Sequence, residues 1–196
     1  MIAIIDYNSS NIRSVVNALT KIGCEFIVTS DPAIILGAEK VIFPGVGSAS
    51  QAMKALTEYQ LTDVIPKITA PCLGICLGMQ LLFDRSEEED TKCLAIIPGT
   101  VRLLPKNEVI VPNIGWSEVE IKDNEPLFKN IKNKSHFYFV HSYYCEASQE
   151  DTIGTTEYGL PFTSAVRYKN FYGMQFHPEK SGADGEQLLR NFIEKI

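Results

Sequence analysis

Apolar residues come in short unbroken runs through the first half of the chain, separated by segments where they recur at helical spacing. Ile2-Ala3-Ile4-Ile5 is such a run, and Ile12, Val15, Val16 and Leu19 follow as an i, i+3, i+4, i+7 series. That series predicts one apolar stripe along a helix ending near Gly23. The alternation continues: Phe26-Ile27-Val28 predicts a second strand, Lys40-Val41-Ile42-Phe43 a third, Ala49 to Tyr59 a helix, and Pro71 to Ile75 a fourth strand. Strands that are apolar on both faces belong to a parallel sheet covered by helices on either side. From Val101 onward the pattern turns to β, with Val101-Arg102-Leu103-Leu104, Ser117 to Ile121, His136 to Glu146, Thr152 to Thr156, Ser164-Ala165-Val166 and Phe171 to Phe176. A closing helix carries Leu188, Leu189, Phe192 and Ile193 on its apolar face. The expected fold is α/β: a doubly wound, mostly parallel central sheet with flanking helices and a β-rich second half, in one domain over residues 1–196. The polar stretch from Arg85 to Lys92 reads as a solvated loop, with an acidic functional site as the alternative.

Composition narrows the function. A chain of 196 residues with 45% hydrophobic content suits one domain with a sizeable core, and no repeat is evident. A formal charge of −6 argues against a nucleic-acid or anionic-membrane surface, because either requires clustered Lys and Arg to offset phosphate charge. No apolar run approaches the roughly 20 residues of a membrane-spanning helix, and Met1 leads into a strand without a basic leader, so the expected location is cytoplasmic. The cysteines Cys24, Cys72, Cys76, Cys93 and Cys145 are odd in number and lack C-x-x-C spacing. Neither a disulfide framework nor a zinc site is suggested, and no metal or organic cofactor is expected.

The candidate chemistry centres on Gly74-Ile75-Cys76-Leu77-Gly78, a G-x-C-x-G elbow between the apolar run Cys72-Leu73 and the segment Met79 to Phe83, which predicts a helix. Such an elbow pushes its central side chain out of the sheet edge, and glycine two positions either side lets strand and helix pass closely. A thiol at a helix N-terminus is biased toward thiolate. A small buried cysteine in a glycine-flanked turn is the plainer alternative. About a hundred residues on, His177-Pro178-Glu179 places an imidazole and a carboxylate two residues apart, on one face if the segment is extended, although Pro178 marks the strand's end. A Cys/His/Glu triad follows: an imidazole to take the thiol proton, and a carboxylate to fix its tautomer.

The elbow with Gln80, together with Phe43-Pro44-Gly45-Val46-Gly47, Phe137 to Tyr143 and Gln175 to Ser181, resembles the class I, triad-type glutamine amidotransferases. Within them the similarity is greatest to glutaminase subunits that serve a histidine-pathway cyclase, and it runs from Met1 to Ile196. The resemblance implies a flavodoxin-like fold and hydrolysis of L-glutamine by Cys76, His177 and Glu179. It implies oxyanion donors at the backbone N–H groups of Leu77 and Val46, and glutamine contacts at Gly47, Gln80, Ser142 and Tyr143, although Gln80 also fits an ordinary helix position. The implied partner is a (β/α)8-barrel cyclase or synthase, met through Asn11, Trp116, Tyr138 and Lys180; for Trp116 and Tyr138 core packing is the alternative. The loop from Asp6 to Asn11, with Asn113 and Ser117, departs from the family pattern near the partner side, which leaves a subunit feeding surface-sugar amidination as a second reading. A cysteine hydrolase or stress protein on a similar fold would carry histidine directly after the cysteine, where this chain has Leu77. A purely binding flavodoxin-like module would need no His177/Glu179 pair.

Overall fold

The computed structural model describes residues 1–8 and 12–196, so the expectation for Asn11 falls outside the described residues. In chain order the elements are β1 (Ile2–Ile5), α1 (Ile12–Ile22), β2 (Phe26–Thr29), α2 (Pro32–Gly37), β3 (Lys40–Gly45), α3 (Ala49–Glu58), β4 (Cys72–Cys76), α4 (Leu77–Gln80), β5 (Phe83–Ser86) and β6 (Thr91–Lys92). Then come β7 (Ile97–Leu103), β8 (Asn113–Ile121), β9 (Ser135–His141), β10 (Tyr143–Glu146), β11 (Thr152–Glu157), β12 (Pro161–Tyr168), β13 (Phe171–Met174) and α5 (Gly182–Lys195).

The sheet runs β2-β1-β3-β4-β13-β12-β10-β7-β5-β6, with β11 branching from β12 and carrying β8 and β9. From β2 to β13 every neighbouring pair is parallel, and beyond β13 the pairing is antiparallel except for β5 with β7. The strands are apolar on both faces because both faces are covered. Ala3, Ile5, Val41 and Phe43 pack with Ile35 of α2 and Ala52 and Leu56 of α3, whereas Ile2, Ile4 and Ile42 pack with Leu19 of α1 and Leu188 and Phe192 of α5. Alternate residues of one strand thus belong to opposite layers, the period of two that an extended chain imposes. Among the described residues, no helix is long and apolar enough to cross a membrane.

Four features differ from the expectations. The segment after the elbow is a single helical turn rather than a helix through Phe83. The carbonyls of Leu81, Leu82 and Phe83 accept from Leu94, Ile96, Ile97 and Ala95, so they are committed to the chain returning at 94–97 and cannot continue a helix. The stretch 85–92 is not a solvated loop, since Arg85 and Ser86 of β5 pair with Lys92 and Thr91 of β6 around a 3-10 turn, Glu88–Asp90. His136 to Glu146 is two strands broken at Ser142. Finally, α2 was not anticipated, although Asp31-Pro32 is a start signal: the Asp31 carboxylate accepts from the Ala33 N–H at 2.8 Å, and Pro32 at the first helical position gives up no hydrogen bond.

Candidate active site

Parallel pairing brings the C-terminal ends of β3, β4 and β13 to one edge of the sheet, where open α/β folds hold their ligands. Gly45 lies opposite Cys76 in the β3–β4 register, and Met174 lies opposite Ile75 in the β13–β4 register. The strand ends therefore present Val46 and Gly47, Cys76, and Gln175 to His177 side by side.

The elbow has the backbone its sequence implies. Cys76 sits at φ +54°, ψ −110°, a region that non-glycine residues rarely occupy and that here turns the thiol away from the sheet. The flanking glycines permit the approach: a Cβ on Gly78 would lie 1.9 Å from the carbonyl oxygen of Phe43, and one on Gly74 would lie 2.8 Å from the Met79 nitrogen. The helix beyond is only one turn, so the aligned dipole of a full helix, expected from the sequence, is not available to the sulfur.

His177 and Glu179 meet, but through a turn rather than an extended strand. β13 ends at Met174, and Pro178–Lys180 forms a 3-10 turn that folds the carboxylate back onto the ring. Nδ1 of His177 lies 2.7 Å from Oε1 of Glu179, and both side chains are out of solvent. The segment is anchored on both sides. Phe176 stacks on Phe137 at 4.3 Å between centroids, and Ser181 Oγ accepts from the Tyr138 N–H and donates to the His177 carbonyl at 2.6 Å. With Nδ1 engaged, Nε2 is the free ring nitrogen; it is buried and has no hydrogen-bond partner among the described residues. Burial opposes the imidazolium, but Cys76 and Glu179 outweigh it and raise the His177 pKa to about 10. Burial pushes the thiols of Cys24 and Cys72 up, that of Cys93 to about 11, and that of Cys145 well up, so these four stay protonated at neutral pH.

A cavity of about 280 Å³ opens over Cys76 and His177. Val46, Gly47, Leu77, Gln80, Ser142, Tyr143 and Lys180 all line it, so the expected oxyanion and substrate positions converge with Cys76 and His177. The Tyr7 hydroxyl donates to the Pro44 carbonyl at 2.9 Å and braces the strand that leads to Val46. Gln80 is committed to the protein more than the sequence suggested: its Nε2 donates to the Tyr143 carbonyl and to Oε1 of Gln175, both at 3.0 Å, leaving its Oε1 as the part able to meet a ligand. Trp116 and Tyr138 face each other across β8 and β9 with centroids 6.1 Å apart, and the Lys180 ammonium lies 6.0 Å from the Tyr138 ring centroid. Trp116 is 55% exposed, and Ile114, two residues before it on β8, is 61% exposed, so core packing does not account for Trp116.

Two residues of the site were not singled out by the sequence. Glu88 lines the cavity from the 3-10 turn after β5 and accepts from the Ala49 N–H at 2.6 Å, with its pKa raised by burial. Nothing in an acidic run distinguishes Glu88 from its neighbours. Gln175 is fully buried beside Cys76, and the signal for it was present: a lone amide between Met174 and Phe176 at the end of an apolar strand.

Comparison with known proteins agrees with this geometry. A family profile described as glutamine amidotransferase class-I matches residues 3–196. Imidazole glycerol phosphate synthase subunit HisH of Vibrio cholerae serotype O1 is 43% identical over 199 residues, covering 98% of each chain. The protein of that name from Haemophilus influenzae strain Rd is 44% identical over 195 residues, covering 100% of this chain and 98% of the relative. Among solved structures, one described as a glutamine amidotransferase superposes with a TM-score of 0.77 at 17% identity over 99% of this chain and 98% of that one. A glutamine amidotransferase from Thermotoga maritima gives 0.65 at 22% identity over 98% and 80%. The structures share the fold, and the profile and the full-length sequence matches go further: this chain belongs to the class-I glutamine amidotransferase family.

Proposed function

We propose that the chain is the glutaminase subunit of an imidazole glycerol phosphate synthase in histidine biosynthesis, acting as a single domain that hydrolyses L-glutamine and passes ammonia to a synthase partner. The observation that carries this is the full-length identity to subunits of that name, joined to a cavity where Cys76 meets a buried His177–Glu179 pair.

In the mechanism, Nε2 of His177 takes the proton of Cys76, and the thiolate attacks the side-chain amide carbon of glutamine. The backbone N–H groups of Leu77 and Val46 hold the oxyanion. The His177 imidazolium, kept in register by Glu179, gives its proton to the leaving nitrogen. Ammonia departs, and a γ-glutamyl thioester remains on Cys76. Water, deprotonated by His177, attacks the thioester carbon, and the returning proton regenerates the thiol as glutamate leaves. Glu88 supplies the negative charge that an α-ammonium group requires, and Gly47, Ser142 and Tyr143 hold the rest of the amino-acid moiety. No metal or organic cofactor enters these steps.

The partner is a (β/α)8-barrel cyclase docked over Trp116, Tyr138 and Lys180; the exposed Ile114 and Trp116, which pair in register with Val140 and Tyr138 of β9, support a docking face there. The five free cysteines suit a reducing compartment, in keeping with a cytoplasmic location. The test is complementation. A strain lacking its own glutaminase subunit should grow without histidine when given this gene with its cognate barrel gene, and should not grow with Cys76→Ala. Failure despite soluble, complexed protein would refute the histidine-pathway assignment and leave surface-sugar amidination as the acceptor reaction.

A further inference from the structure

A chain of buried and half-buried hydrogen bonds ends on the sulfur of Cys76. It begins in β8, where Nδ2 of Asn113 lies 3.2 Å from Nε2 of His141. Nδ1 of His141 lies 2.9 Å from the Tyr143 carbonyl oxygen, which also accepts from Nε2 of Gln80 at 3.0 Å. Gln80 Nε2 reaches Oε1 of Gln175 at 3.0 Å, and Nε2 of Gln175 lies 3.8 Å from Sγ of Cys76.

The direction of every link is forced. A carbonyl oxygen only accepts, so His141 carries its hydrogen on Nδ1 and its bare Nε2 accepts from Asn113. The same oxygen requires Gln80 to turn its NH2 inward. The second hydrogen of that NH2 then needs an acceptor, which is Oε1 of Gln175, and the Gln175 amide cannot flip without facing one NH2 with another. Its own NH2 is thereby aimed at the sulfur. A thiol gains little from such a donor, whereas a thiolate gains a charge-assisted hydrogen bond.

We propose that Gln175 is a catalytic residue of this site, its side-chain NH2 stabilising the Cys76 thiolate that forms as the proton passes to His177, with Gln80 as the positioning residue that keeps the NH2 toward the sulfur. The inference rests on reading Cys76 as the nucleophile. The charges around the sulfur show why a neutral donor is useful. From the turn after β13 come His177, Glu179 and Lys180, from β9 His141, from β10 Tyr143 and Cys145, and from the turn after β5 Glu88. The His177 imidazolium and Lys180 favour a thiolate, Glu88 and Glu179 oppose it, His141 is neutral, and the one-turn α4 offers little dipole. Gln175 does not titrate, so its contribution persists through every protonation state of the triad.

The test is the pH dependence of iodoacetamide alkylation, read on the Cys76 peptide by mass spectrometry in the full-length chain. Gln175→Met keeps the shape and removes the donor; it should raise the apparent pKa of Cys76 by about one unit. Gln175→Glu should raise it further, and Gln80→Met should move it in the same direction. With the partner present, Gln175→Met should lower kcat at neutral pH about tenfold while KM for glutamine changes less than about twofold. A Gln175→Met profile that superimposes on that of the native chain overturns the proposal. Where the variants fail to fold, the native chain decides: the side-chain NH2 resonance of Gln175 should titrate together with Cys76 alkylation, and a flat resonance refutes the contact. Labelling by a diazo-ketone glutamine analogue separates the two levels. Native protein unlabelled at Cys76 refutes the nucleophile, whereas labelling at Cys76 with unshifted profiles refutes only the role of Gln175.

Discussion

The glycine at position 78 gives the sharpest quantitative test of the elbow. In Gly78→Ala the added Cβ would lie 1.9 Å from the Phe43 carbonyl oxygen and 3.0 Å from its carbonyl carbon. An ordinary close carbon–oxygen contact is about 3.3 Å, so α4 must retreat from β3 by about 1.4 Å. Phe43 cannot yield instead, because it is a main-chain position in the middle of a parallel ladder between β1 and β4. Overpacking of this kind costs about 1–3 kcal/mol, and a displacement of about 1 Å at a reacting group costs about 100-fold in rate. Gly78→Ala should therefore lower the urea midpoint and reduce glutamate release, measured with the partner present, by about two orders of magnitude. Gly37→Ala is the control: nothing lies within 4 Å of its added Cβ, and it should keep full activity and gain up to about 1 kcal/mol. Native kcat and native stability in Gly78→Ala would refute the account of the elbow.

Other outcomes follow from single contacts. His177→Ala should be nearly inactive while Glu179→Gln retains part of the rate, since losing the carboxylate leaves the base present but poorly held; equal losses in steady-state glutaminase assays would contradict the division of roles. Burial holds the His141 pKa down at about 4, partly offset by the Tyr143 carbonyl and reinforced by nearby His177. The folded state thus binds fewer protons than the unfolded one, and stability should be lost as pH falls from about 6.5 toward 4, by roughly 3 kcal/mol at full effect. Urea midpoints across that range should flatten in His141→Gln, and an unchanged slope would exclude His141 as the source. Ser164 Oγ is buried without a hydrogen-bond partner among the described residues, so Ser164→Ala should be neutral or stabilising by up to about 1 kcal/mol; a clear loss in thermal melting would mean the hydroxyl is bonded.

Where the sequence carried a local physical signal, the structure could be anticipated. The runs Ile2–Ile5 and Lys40–Phe43 read as doubly covered strands because both of their faces are apolar, and the elbow was legible because its G-x-C-x-G spacing is itself local, although of its two glycines only Gly74 is demanded by neighbours in sequence, Gly78 being demanded by the Phe43 carbonyl of β3. The failures share one cause, which is long-range pairing. Leu81 to Phe83 resemble a helix until the segment 94–97 claims their carbonyls. Glu88 looks like any exposed acid until β5 and β6 fold it over the cavity. Gln80 was expected at the substrate from the family resemblance and does line the cavity, but both hydrogens of its amide are given to Tyr143 and Gln175, residues far along the chain. No window around position 80 encodes that.

The place of β13 in the sheet bears on how the protein comes into being. It is the last of the described strands in chain order, and it inserts between β4 and β12 rather than adding to an edge. Until it arrives, β4 and β12 each expose an unpaired rim of backbone, and the chain must hold a gap open near the middle of its sheet. Contacts between residues 72–75 and 171–174 span about half the sequence, so closure is a high contact-order step and a slow one. The same step delivers His177 to Cys76. A nascent or truncated chain therefore carries Cys76 without His177, and their meeting coincides with completion of the fold.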